Sequence, residues 1–528
     1  MNGVFFKRLQ GLSLRPEFLL AILLTVLIAV LNLYFYRHAG GLWRDEVNSV
    51  SIGRGGWAAM THDSFPILFP LCVRFWGWLG GTDWRFFGML SGLCLTVAFW
   101  LSARWLGRSQ PLWSLALVGL NAWAITYGLT LRAYGLGGVW IVVSFGAAWR
   151  FLEKPGRGTW LWLTACAILS VQTLYQNCAL VGAICLGGMA VAFRRKNFRG
   201  LVGVFLSGLT AAITLIPYLH VIRSITQSGV MKRDFFDTAS ALTCLDSLLA
   251  FPMPQFAWLW LGLAAWILGL GFWRGIKSRG DDRPLFAAAT LASAILLYAL
   301  FLRLANYYVQ PWYYMPLLAL AGIVLEVSLP RLEGKGRSIL WGGVLATSLV
   351  SGIFAVKILD YRMTNVDSLA ERIAAQAGPK DFVIIKNWTF GMTFGFYFQG
   401  ACSWSTVPPI ADLKTARFDL YAEQVQNTNA MKPLLEHLES TLRSGHKIWI
   451  VGNFTGWNQP YESDHRVAVG WDELVGGQFN QQANDFLRQH CETIQMLDPG
   501  TNENVNFNER ASLFLTEGWK PPADKFSR

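Results

Sequence analysis

Over its first 356 residues the chain alternates between long apolar runs and short polar connections. Eleven of the apolar runs approach the ~20 residues that a helix needs to cross a bilayer. They lie near residues 18–36, 86–103, 111–127, 134–151, 160–175, 177–193, 200–220, 256–273, 284–302, 311–328 and 338–356. The pattern predicts a polytopic α-helical membrane domain over residues 1–356, with about eleven transmembrane helices.

One further apolar segment, residues 65–80, is predicted to lie along the membrane surface instead of crossing it. It contains two prolines and a central Arg74, and it is shorter than the ~17 residues of the shortest membrane helices. Trp76 and Trp78 favour the boundary between headgroups and water. Residues 37–85 are therefore predicted to form one outside loop that contains an interfacial helix.

After residue 357 the apolar runs shorten to strand length and alternate with amphipathic segments. The stretches "DFVIIKN", "HKIWIVGN" and "ASLFLTEG" are typical of strands, whereas "DSLAERIAAQAG" and "KPLLEHLESTLRSG" are typical of helices. Such alternation predicts a soluble α/β domain over residues 357–528.

Composition and charge support the membrane assignment. Hydrophobic residues make up 53% of the chain and charged residues only 15%, which excludes a single soluble core. The net charge of +12 does not indicate nucleic acid, because the basic residues are concentrated in alternate connections. These are Arg104, Arg108, Lys154, Arg157, Arg194, Arg195, Lys196, Arg199, Arg274, Lys277, Arg279, Arg283, Arg331, Lys335 and Arg337.

By the positive-inside rule, these basic connections face the cytoplasm and the N-terminus is inside. An odd number of spans then places residues 357–528 in the periplasm or outside the cell, with the long loop 221–255 on the same side. We expect a multi-pass protein of the bacterial inner membrane with membrane lipids as its surroundings. Loop 221–255 is either a lid or binding element or an ordered cap whose acidic residues, Asp234 and Asp237, are solvated.

The eight cysteines show no CxxC pair and no metal-ligand spacing. Several lie inside apolar runs, where a thiol behaves as a small hydrophobic group. A disulfide between Cys402 and Cys491 is left open, because the sequence does not give their distance.

Four motifs follow one another near the predicted outside ends of the first helices. Asp45 and Glu46 come about nine residues after the first apolar run, and a His-x-x-x-Pro segment begins at His62. "W-R-x-x-x-x-L" with Arg85 opens the second helix, and "L-R-x-Y-x-L" with Arg132 opens the fourth.

In this order the motifs resemble those of the GT-C glycosyltransferases, in particular the bacterial protein O-mannosyltransferases and the lipid A aminoarabinose transferases. The resemblance covers residues 18–356 as an architecture and residues 43–136 as motifs. It implies a GT-C-like fold and the transfer of a sugar, with inversion, from a polyprenyl-phosphate donor. The acceptor would be a hydroxyl or amine of a lipid, glycan or protein at the periplasmic or extracellular face.

Such a reaction needs a base for the acceptor and positive charge for the departing phosphate. The resemblance makes Asp45 the candidate base, with Glu46 orienting it, binding a metal or contacting the sugar. The candidate phosphate ligands are Arg132, Arg303, Lys232 and Arg233, because cationic side chains bind phosphate oxygens. Further candidate substrate contacts are His62, Arg85, Tyr134 and Tyr313.

The sequence requires no cofactor. A divalent metal held by Glu46, His62 and His220 stays open, although dispersed histidines are more often hydrogen-bonded structural residues. The chain also departs from the family pattern, because Thr130 and Leu131 stand where many relatives carry an acid before the Arg-x-Tyr element. Trp312 and Tyr313 stand where an Arg-Tyr pair often opens the tenth helix.

Two alternatives to a transferase are also compatible with the sequence. A lipid or glycan transporter, or flippase, would also have basic inside loops, but transporters place ionisable groups near the midplane on broken helices. In a third interpretation, the outer domain is a recognition module on an inactive membrane scaffold.

Overall fold

The computed structural model describes residues 16–61, 63–221, 236–277, 280–306, 309–328, 334–452, 471–500 and 504–521. The chain divides into two compact units. The first runs up to Tyr36, from Thr61 to His220 and from Phe236 to Leu359, and the second includes Arg37–Met60 and continues from Asp360.

Helices make up the chain as far as residue 359. They are α1 Pro16–His38, α2 Arg44–Arg54, α3 Trp57–Thr61, α4 Leu68–Trp78, α5 Trp84–Trp105, α6 Leu112–Ser114, α7 Ala122–Leu129, α8 Ala133–Glu153, α9 Arg157–Thr173, α10 Asn177–Arg194, α11 Phe198–Ile213, α12 Thr238–Leu249, α13 Gln255–Lys277, α14 Arg283–Ala305, α15 Met315–Ser328 and α16 Gly334–Leu359. A π-helical turn follows α6 at Leu115–Gly119, and 3₁₀ turns lie at Ile216–Tyr218 and Pro311–Tyr314.

Each of the eleven predicted membrane segments coincides with helical structure. Among the described residues, nine helices are long and apolar enough to cross a membrane. Helix α9 has 17 residues and a length of about 25 Å, at the lower end of the range for a membrane helix. The chain is therefore a multi-pass membrane protein, as its apolar pattern predicts.

The predicted third span is broken. Leu112–Gly119 and Ala122–Leu129 meet at an angle of 78°. Asn121 makes the break possible, because its side chain accepts hydrogen bonds from the backbone N–H groups of Trp123 and Ala124 at 3.0 and 3.1 Å. The continuous apolar run does not reveal this bend, because both halves are apolar.

Many large apolar side chains of the membrane helices are exposed. Leu23 of α1 is 61% exposed, Val97 of α5 is 64% exposed and Leu296 of α14 is 70% exposed. Lipid tails are the medium in which such surfaces are stable. Helix α4, the predicted interfacial helix, has 11 residues, so it is about 16 Å long and too short to span the bilayer.

The second unit contains a five-stranded sheet with helices beside it. The strands are β1 Phe382–Lys386, β2 Ser403–Val407, β3 Ile448–Val451, β4 Cys491–Asp498 and β5 Leu513–Trp519. The helices after residue 359 are α17 Val366–Gln376, α18 Phe390–Tyr397, α19 Phe418–Gln426, α20 Lys432–Arg443 and α21 Trp471–His490, and a 3₁₀ turn lies at Phe507–Glu509.

The strand order is β2-β1-β3-β5-β4. Strand β1 pairs in parallel with β2 and β3, whereas β5 pairs antiparallel with β3 and β4. Phe382 and Ile384 of β1 belong to a core cluster with α20 and α21, and Val383 and Ile385 belong to another cluster with α17. The sheet is therefore covered on both faces, which confirms the predicted α/β fold.

Three features of this unit differ from, or add to, the sequence-based picture. Strands β2 and β4 were not among the predicted strands, because polar residues interrupt their apolar pattern. Arg37–Met60, which the sequence analysis places in the membrane domain, belongs to the same compact unit as the sheet. Cys402 and Cys491 are free thiols, and they lie in two different core clusters.

Candidate active-site residues in the two units

In the second unit, Asp45 and Glu46 lie in the first turn of helix α2. Trp43 precedes the helix in extended conformation, with φ −82° and ψ 169°. The carboxylate of Glu46 turns back and accepts a hydrogen bond from the backbone N–H of Trp43 at 3.2 Å. Glu46 is fully buried, whereas the side chain of Asp45 is 30% exposed. The two adjacent acids thus have different surroundings, and only Asp45 is open to solvent.

Arg44 connects this turn to the chain around the sheet. Its guanidinium donates hydrogen bonds to Thr389 Oγ1 at 3.0 Å and to the backbone carbonyl of Asn508 at 3.3 Å. Its Nε atom lies 3.8 Å from Asp45 Oδ1. The arginine therefore provides Asp45 with a neighbouring positive charge while it is itself anchored elsewhere.

Glu509 accepts a hydrogen bond from the first amide of helix α2. The N–H of Arg44 lies 3.2 Å from both carboxylate oxygens of Glu509, and the hydroxyl of Thr393 donates to Glu509 Oε1 at 2.7 Å. Burial raises the pKa of Glu509 to about 8, although Arg44 and hydrogen bonds from Thr393 and Thr364 favour the charged form. Above this pH, the charged carboxylate also complements the positive end of the helix dipole.

Further hydrogen bonds attach residues 37–60 to the rest of the second unit. They join Met363 N–H to Ala39 O at 2.8 Å, Gly41 N–H to Asp367 Oδ2 at 2.9 Å, Leu42 N–H to Tyr397 Oη at 2.6 Å, and Ala416 N–H to Asn48 Oδ1 at 2.9 Å. Helix α2 also packs against α18, the helix that follows strand β1. The candidate base is thus held by the α/β domain.

In the first unit, Arg132 lies in the short connection between α7 and α8. The connection fits closely against its neighbours, because a Cβ atom at Gly88 would collide with the carbonyl of Leu129 and one at Gly135 with the carbonyl of Gly128. Glycine at these two positions lets the backbone pass, and Arg132 then precedes helix α8 in extended conformation. The position of Arg132 is therefore fixed by close backbone packing.

Three of the predicted site residues form a chain of contacts that includes Phe65, a ring that the sequence motifs do not single out. The guanidinium carbon of Arg132 lies 4.4 Å from the ring centre of Phe65. Phe65 contacts Tyr134 edge to face at 5.7 Å, and Tyr134 lies 6.0 Å from Tyr313. We call Phe65, Arg132, Tyr134 and Tyr313 the aromatic cluster.

Asp63 is the acidic residue associated with this cluster. It is buried, with 4% exposure, and its Oδ1 atom accepts a hydrogen bond from Ser64 Oγ at 3.2 Å. Burial raises the pKa of Asp63 to about 6, and the positive charge of Arg132 partly opposes that rise. Asp63 therefore acts as a nearby countercharge for Arg132.

Tyr175 and Tyr218 are two neighbouring tyrosines of the first unit. The hydroxyl of Tyr218 accepts a hydrogen bond from the N–H of Ile67 at 3.3 Å and donates to Gln172 Oε1 at 2.8 Å. The ring of Tyr218 lies 5.7 Å from that of Tyr175. Within the described residues, the buried hydroxyl of Tyr175 has no hydrogen-bond partner.

The positions that depart from the family pattern have local structural roles. Thr130 is buried, and its hydroxyl donates to the carbonyl of Tyr127 at 2.9 Å, which ends helix α7. The backbone carbonyl of Tyr313 accepts from Gln176 Nε2 at 2.6 Å and from the hydroxyl of Tyr298. Trp312 contacts the ring of Tyr127 at 5.4 Å. At both positions, hydrogen bonds to backbone carbonyls or contacts between aromatic rings are found where many relatives carry a charged side chain.

The remaining candidates are not brought into the aromatic cluster by any contact described. Arg85 is buried in the first turn of α5, and Arg303 is exposed in the last turn of α14. His62, Lys232 and Arg233 lie outside the described residues. Asp237 accepts a hydrogen bond from the N–H of Ser240 at 2.8 Å at the start of helix α12, whereas Asp234, like the rest of residues 222–235, lies outside the described residues.

No group of three His, Cys, Asp or Glu residues within the described part of the chain is suited to hold a metal ion. His220 is exposed, and the carboxylate of Glu46 is bonded within its own helix turn. The metal alternative therefore gains no support from the described residues.

Two functional candidates were missed by the sequence analysis. Asp63 lies inside the His-x-x-x-Pro segment, and the need of a membrane-embedded arginine for a carboxylate nearby was a signal for it. Glu509 carried no comparable signal, because 465 residues separate it from Arg44. Only the tertiary structure brings it to helix α2.

The fold is similar to that of solved GT-C proteins. ArnT from Cupriavidus metallidurans bound to undecaprenyl phosphate is 13% identical, with a TM-score of 0.52 over 95% of this chain and 98% of that one. The Archaeoglobus fulgidus oligosaccharyltransferase tethered with an acceptor peptide is 9% identical, with a TM-score of 0.50 over 93% and 74%. No protein-family model and no curated protein sequence matches the chain. The predicted GT-C fold is thus confirmed.

Proposed function

We propose that this protein is an inverting glycosyltransferase. It transfers a sugar from a polyprenyl-phosphate donor to a hydroxyl or amine of a lipid, glycan or protein acceptor. The fold is shared with ArnT, which was solved with undecaprenyl phosphate, and with an oligosaccharyltransferase solved with an acceptor peptide. The observation that carries the proposal is the partly exposed carboxylate of Asp45 beside Arg44, at the N-terminus of a helix that several hydrogen bonds fix to the rest of its unit.

The proposal assigns one role to each of two residues. Asp45 takes the proton from the acceptor as the acceptor atom attacks the anomeric carbon. Arg132, with Arg303 as the alternative, balances the negative charge of the departing polyprenyl phosphate. Phe65 packs against the planar guanidinium of Arg132 and restricts its orientation, which favours two parallel hydrogen bonds to phosphate oxygens.

The reaction is tested with purified protein in lipid nanodiscs and a panel of radiolabelled undecaprenyl-phosphate sugars. We expect label to pass to an acceptor supplied as a membrane extract, with the anomeric configuration of the product inverted relative to the donor. Donor that stays intact with every acceptor fraction would contradict the proposal. If water replaces the acceptor, free labelled sugar should be released slowly from the donor.

Flippase activity is the second candidate, and the broken span at Leu112–Leu129 is the observation that favours it, since transporters often contain discontinuous helices. Proteoliposomes separate the two functions. A flippase moves intact fluorescent polyprenyl-phosphate sugar between leaflets, whereas a transferase breaks the bond between sugar and phosphate.

The proposed placement has the N-terminus in the cytoplasm and the second unit in the periplasm of a bacterial inner membrane. The variants Gly280→Cys and Lys520→Cys test it with a membrane-impermeant thiol reagent, in a background without the native cysteines. Position 520 should react in cells with a permeabilised outer membrane, and position 280 only after the inner membrane is opened. The reverse pattern would reject this orientation.

A further inference from the structure

We infer that Glu509 is a positioning residue for Asp45, so that the α/β domain forms part of the catalytic apparatus. The inference rests on the proposed function, in which Asp45 is the base. All residues that carry it belong to the second unit.

The first observation is the contact itself. The N–H of Arg44 is one of the first amides of helix α2, which have no carbonyl partner within the helix. Both carboxylate oxygens of Glu509 lie 3.2 Å from that nitrogen. Because Arg44 immediately precedes Asp45, the contact fixes the backbone from which the Asp45 side chain projects.

The second observation is that Glu509 is itself held in place. It is fully buried, and the hydroxyl of Thr393 donates to its Oε1 atom at 2.7 Å. Thr393 belongs to helix α18, whose first residues follow strand β1, and the adjacent carbonyl of Asn508 accepts from the Arg44 guanidinium at 3.3 Å. The turn at Phe507–Glu509 thus accepts hydrogen bonds from both the backbone and the side chain of Arg44.

The third observation is the contrast with Glu46. Glu46 satisfies the N–H of Trp43 within the same helix turn, so its effect is local. Glu509 satisfies the N–H of the next residue from the C-terminal domain. A carboxylate that acts as a general base must lie close to the proton that it accepts, and a displacement of about 1 Å reduces turnover strongly.

The test uses Glu509→Gln in the full chain at pH 9, above the Glu509 pKa of about 8, so that the change removes a charged carboxylate. Glu517→Gln is the matched control, because Glu517 pairs with Lys447 at 2.6 Å in the same unit, on the surface. We expect kcat of Glu509→Gln to fall roughly tenfold to a hundredfold, the scale of a misplaced catalytic group. The KM for the donor should stay within about threefold, and the control should behave as wild type. Wild-type kcat in folded Glu509→Gln protein would overturn the inference.

A double-variant cycle separates positioning from general loss of structure. In Asp45→Asn protein the added Glu509→Gln change should lower kcat no further, because the base it positions is already absent. A full, additive loss in the double variant would overturn the positioning role. If Glu509→Gln does not fold, Thr393→Val takes its place in the same cycle and with the same deciding outcomes.

Hydrogen exchange supplies a readout that does not depend on transferase activity. The amides at the start of α2 should exchange faster in Glu509→Gln than in wild type, while strands β1 and β3 keep their protection. If Asp45→Asn has wild-type activity, the proposed base assignment fails, whatever Glu509 does. If Asp45→Asn is inactive and Glu509→Gln retains wild-type kcat and exchange, only the present inference fails.

Discussion

The two units each contain an aspartate with an arginine near it, and the pairs are built in opposite ways. Asp45 is 30% exposed, and Arg44 beside it is anchored by hydrogen bonds to Thr389 and Asn508. Asp63 is 4% exposed, and its partner charge, Arg132, stacks on Phe65. An exposed carboxylate can meet an acceptor that arrives from water, whereas a buried one is suited to balance charge. The comparison therefore supports the proposal that Asp45 is the base.

The same contrast exists between neighbours in sequence. Asp45 and Glu46 are adjacent on a helix, so their side chains leave it about 100° apart. Glu46 caps its own helix turn and is fully buried, and Asp45 is open to solvent. Chemical similarity in a sequence motif thus does not imply a shared role.

The largest expected effect comes from Asp45→Asn. Asparagine keeps the size of the side chain and most of its hydrogen bonding but cannot accept the proton, so transfer should fall by ~10²–10⁴-fold, the usual scale of a general base. Donor binding, measured by equilibrium dialysis with labelled donor, should be retained. Asp419→Asn is the matched control, because Asp419 is an exposed carboxylate paired with Arg417. Wild-type transfer by folded Asp45→Asn protein would remove Asp45 as the base.

Arg132→Ala should mainly weaken donor binding. A charge-assisted hydrogen bond contributes about 1.5–3 kcal/mol, so we expect the donor KM to rise about tenfold to a hundredfold. Arg132→Lys should recover only part of this, since lysine lacks the flat, forked group that lies on Phe65. Arg303→Ala is the comparison variant. A larger rise in KM for Arg303→Ala than for Arg132→Ala would move the phosphate contact to Arg303.

The sequence predicts much of the fold, because membrane-length apolar runs and strand-length apolar runs have simple physical causes. All eleven helical segments and the strands β1, β3 and β5 follow from that pattern. The bend at Asn121 does not follow from it, because capping by a single side chain decides the bend inside a uniformly apolar run.

The candidate site is predictable only in part. Arg132, Tyr134 and Tyr313 were chosen from motifs. In the structure Phe65 contacts Arg132 and Tyr134, and Tyr134 contacts Tyr313. The attachment of residues 37–60 to the α/β domain, and the contact of Glu509 with Arg44, depend on pairing between distant parts of the chain. Local pattern carries no information about such pairing.

Asp63→Asn should have a smaller effect, and in the opposite direction. The carboxylate of Asp63 partly cancels the positive charge of Arg132. A neutral asparagine would leave the attraction between Arg132 and the donor phosphate at full strength, so donor affinity should increase several-fold at pH 8. The wild-type pKa near 6 predicts the same change in wild type as pH falls through about 6, while Asp63→Asn stays constant. The donor phosphodiester keeps its charge over this range.

Donor affinity is measured by equilibrium dialysis from pH 5 to pH 8 for both proteins. Ser64→Ala is the comparison variant, because it removes the 3.2 Å hydrogen bond that lowers the pKa of Asp63 without removing charge, so its transition should lie at higher pH than that of wild type. A wild-type affinity that does not change with pH, together with unaltered affinity in Asp63→Asn, would show that Asp63 does not influence the phosphate site.

The last prediction concerns the stability of the second unit and a lysine buried in its core. Lys386, at the end of strand β1, is 3% exposed, and its Nζ atom donates to Asn484 Oδ1 at 2.5 Å. Burial and the nearby positive charge of Arg488 lower the pKa of Lys386 from 10.5 to about 7. The unfolded chain therefore binds a proton between these pH values that the folded chain does not bind. Stability should fall as pH falls across that window, by up to about 1.4 kcal/mol per pH unit.

Lys386→Met removes this titration and keeps an unbranched side chain of similar length. Protection of strands β1 and β3 against hydrogen exchange, corrected for the intrinsic rate at each pH, should decline from pH 10 to pH 7 in wild type but not in Lys386→Met. Lys432→Met is the control, because the side chain of Lys432 is 70% exposed, and its pH dependence should match wild type. Equal slopes in wild type and Lys386→Met would mean that Lys386 stays protonated in the folded domain. The second unit would then hold a charged side chain in its core at neutral pH, and burial would no longer separate charged from neutral groups in the two regions.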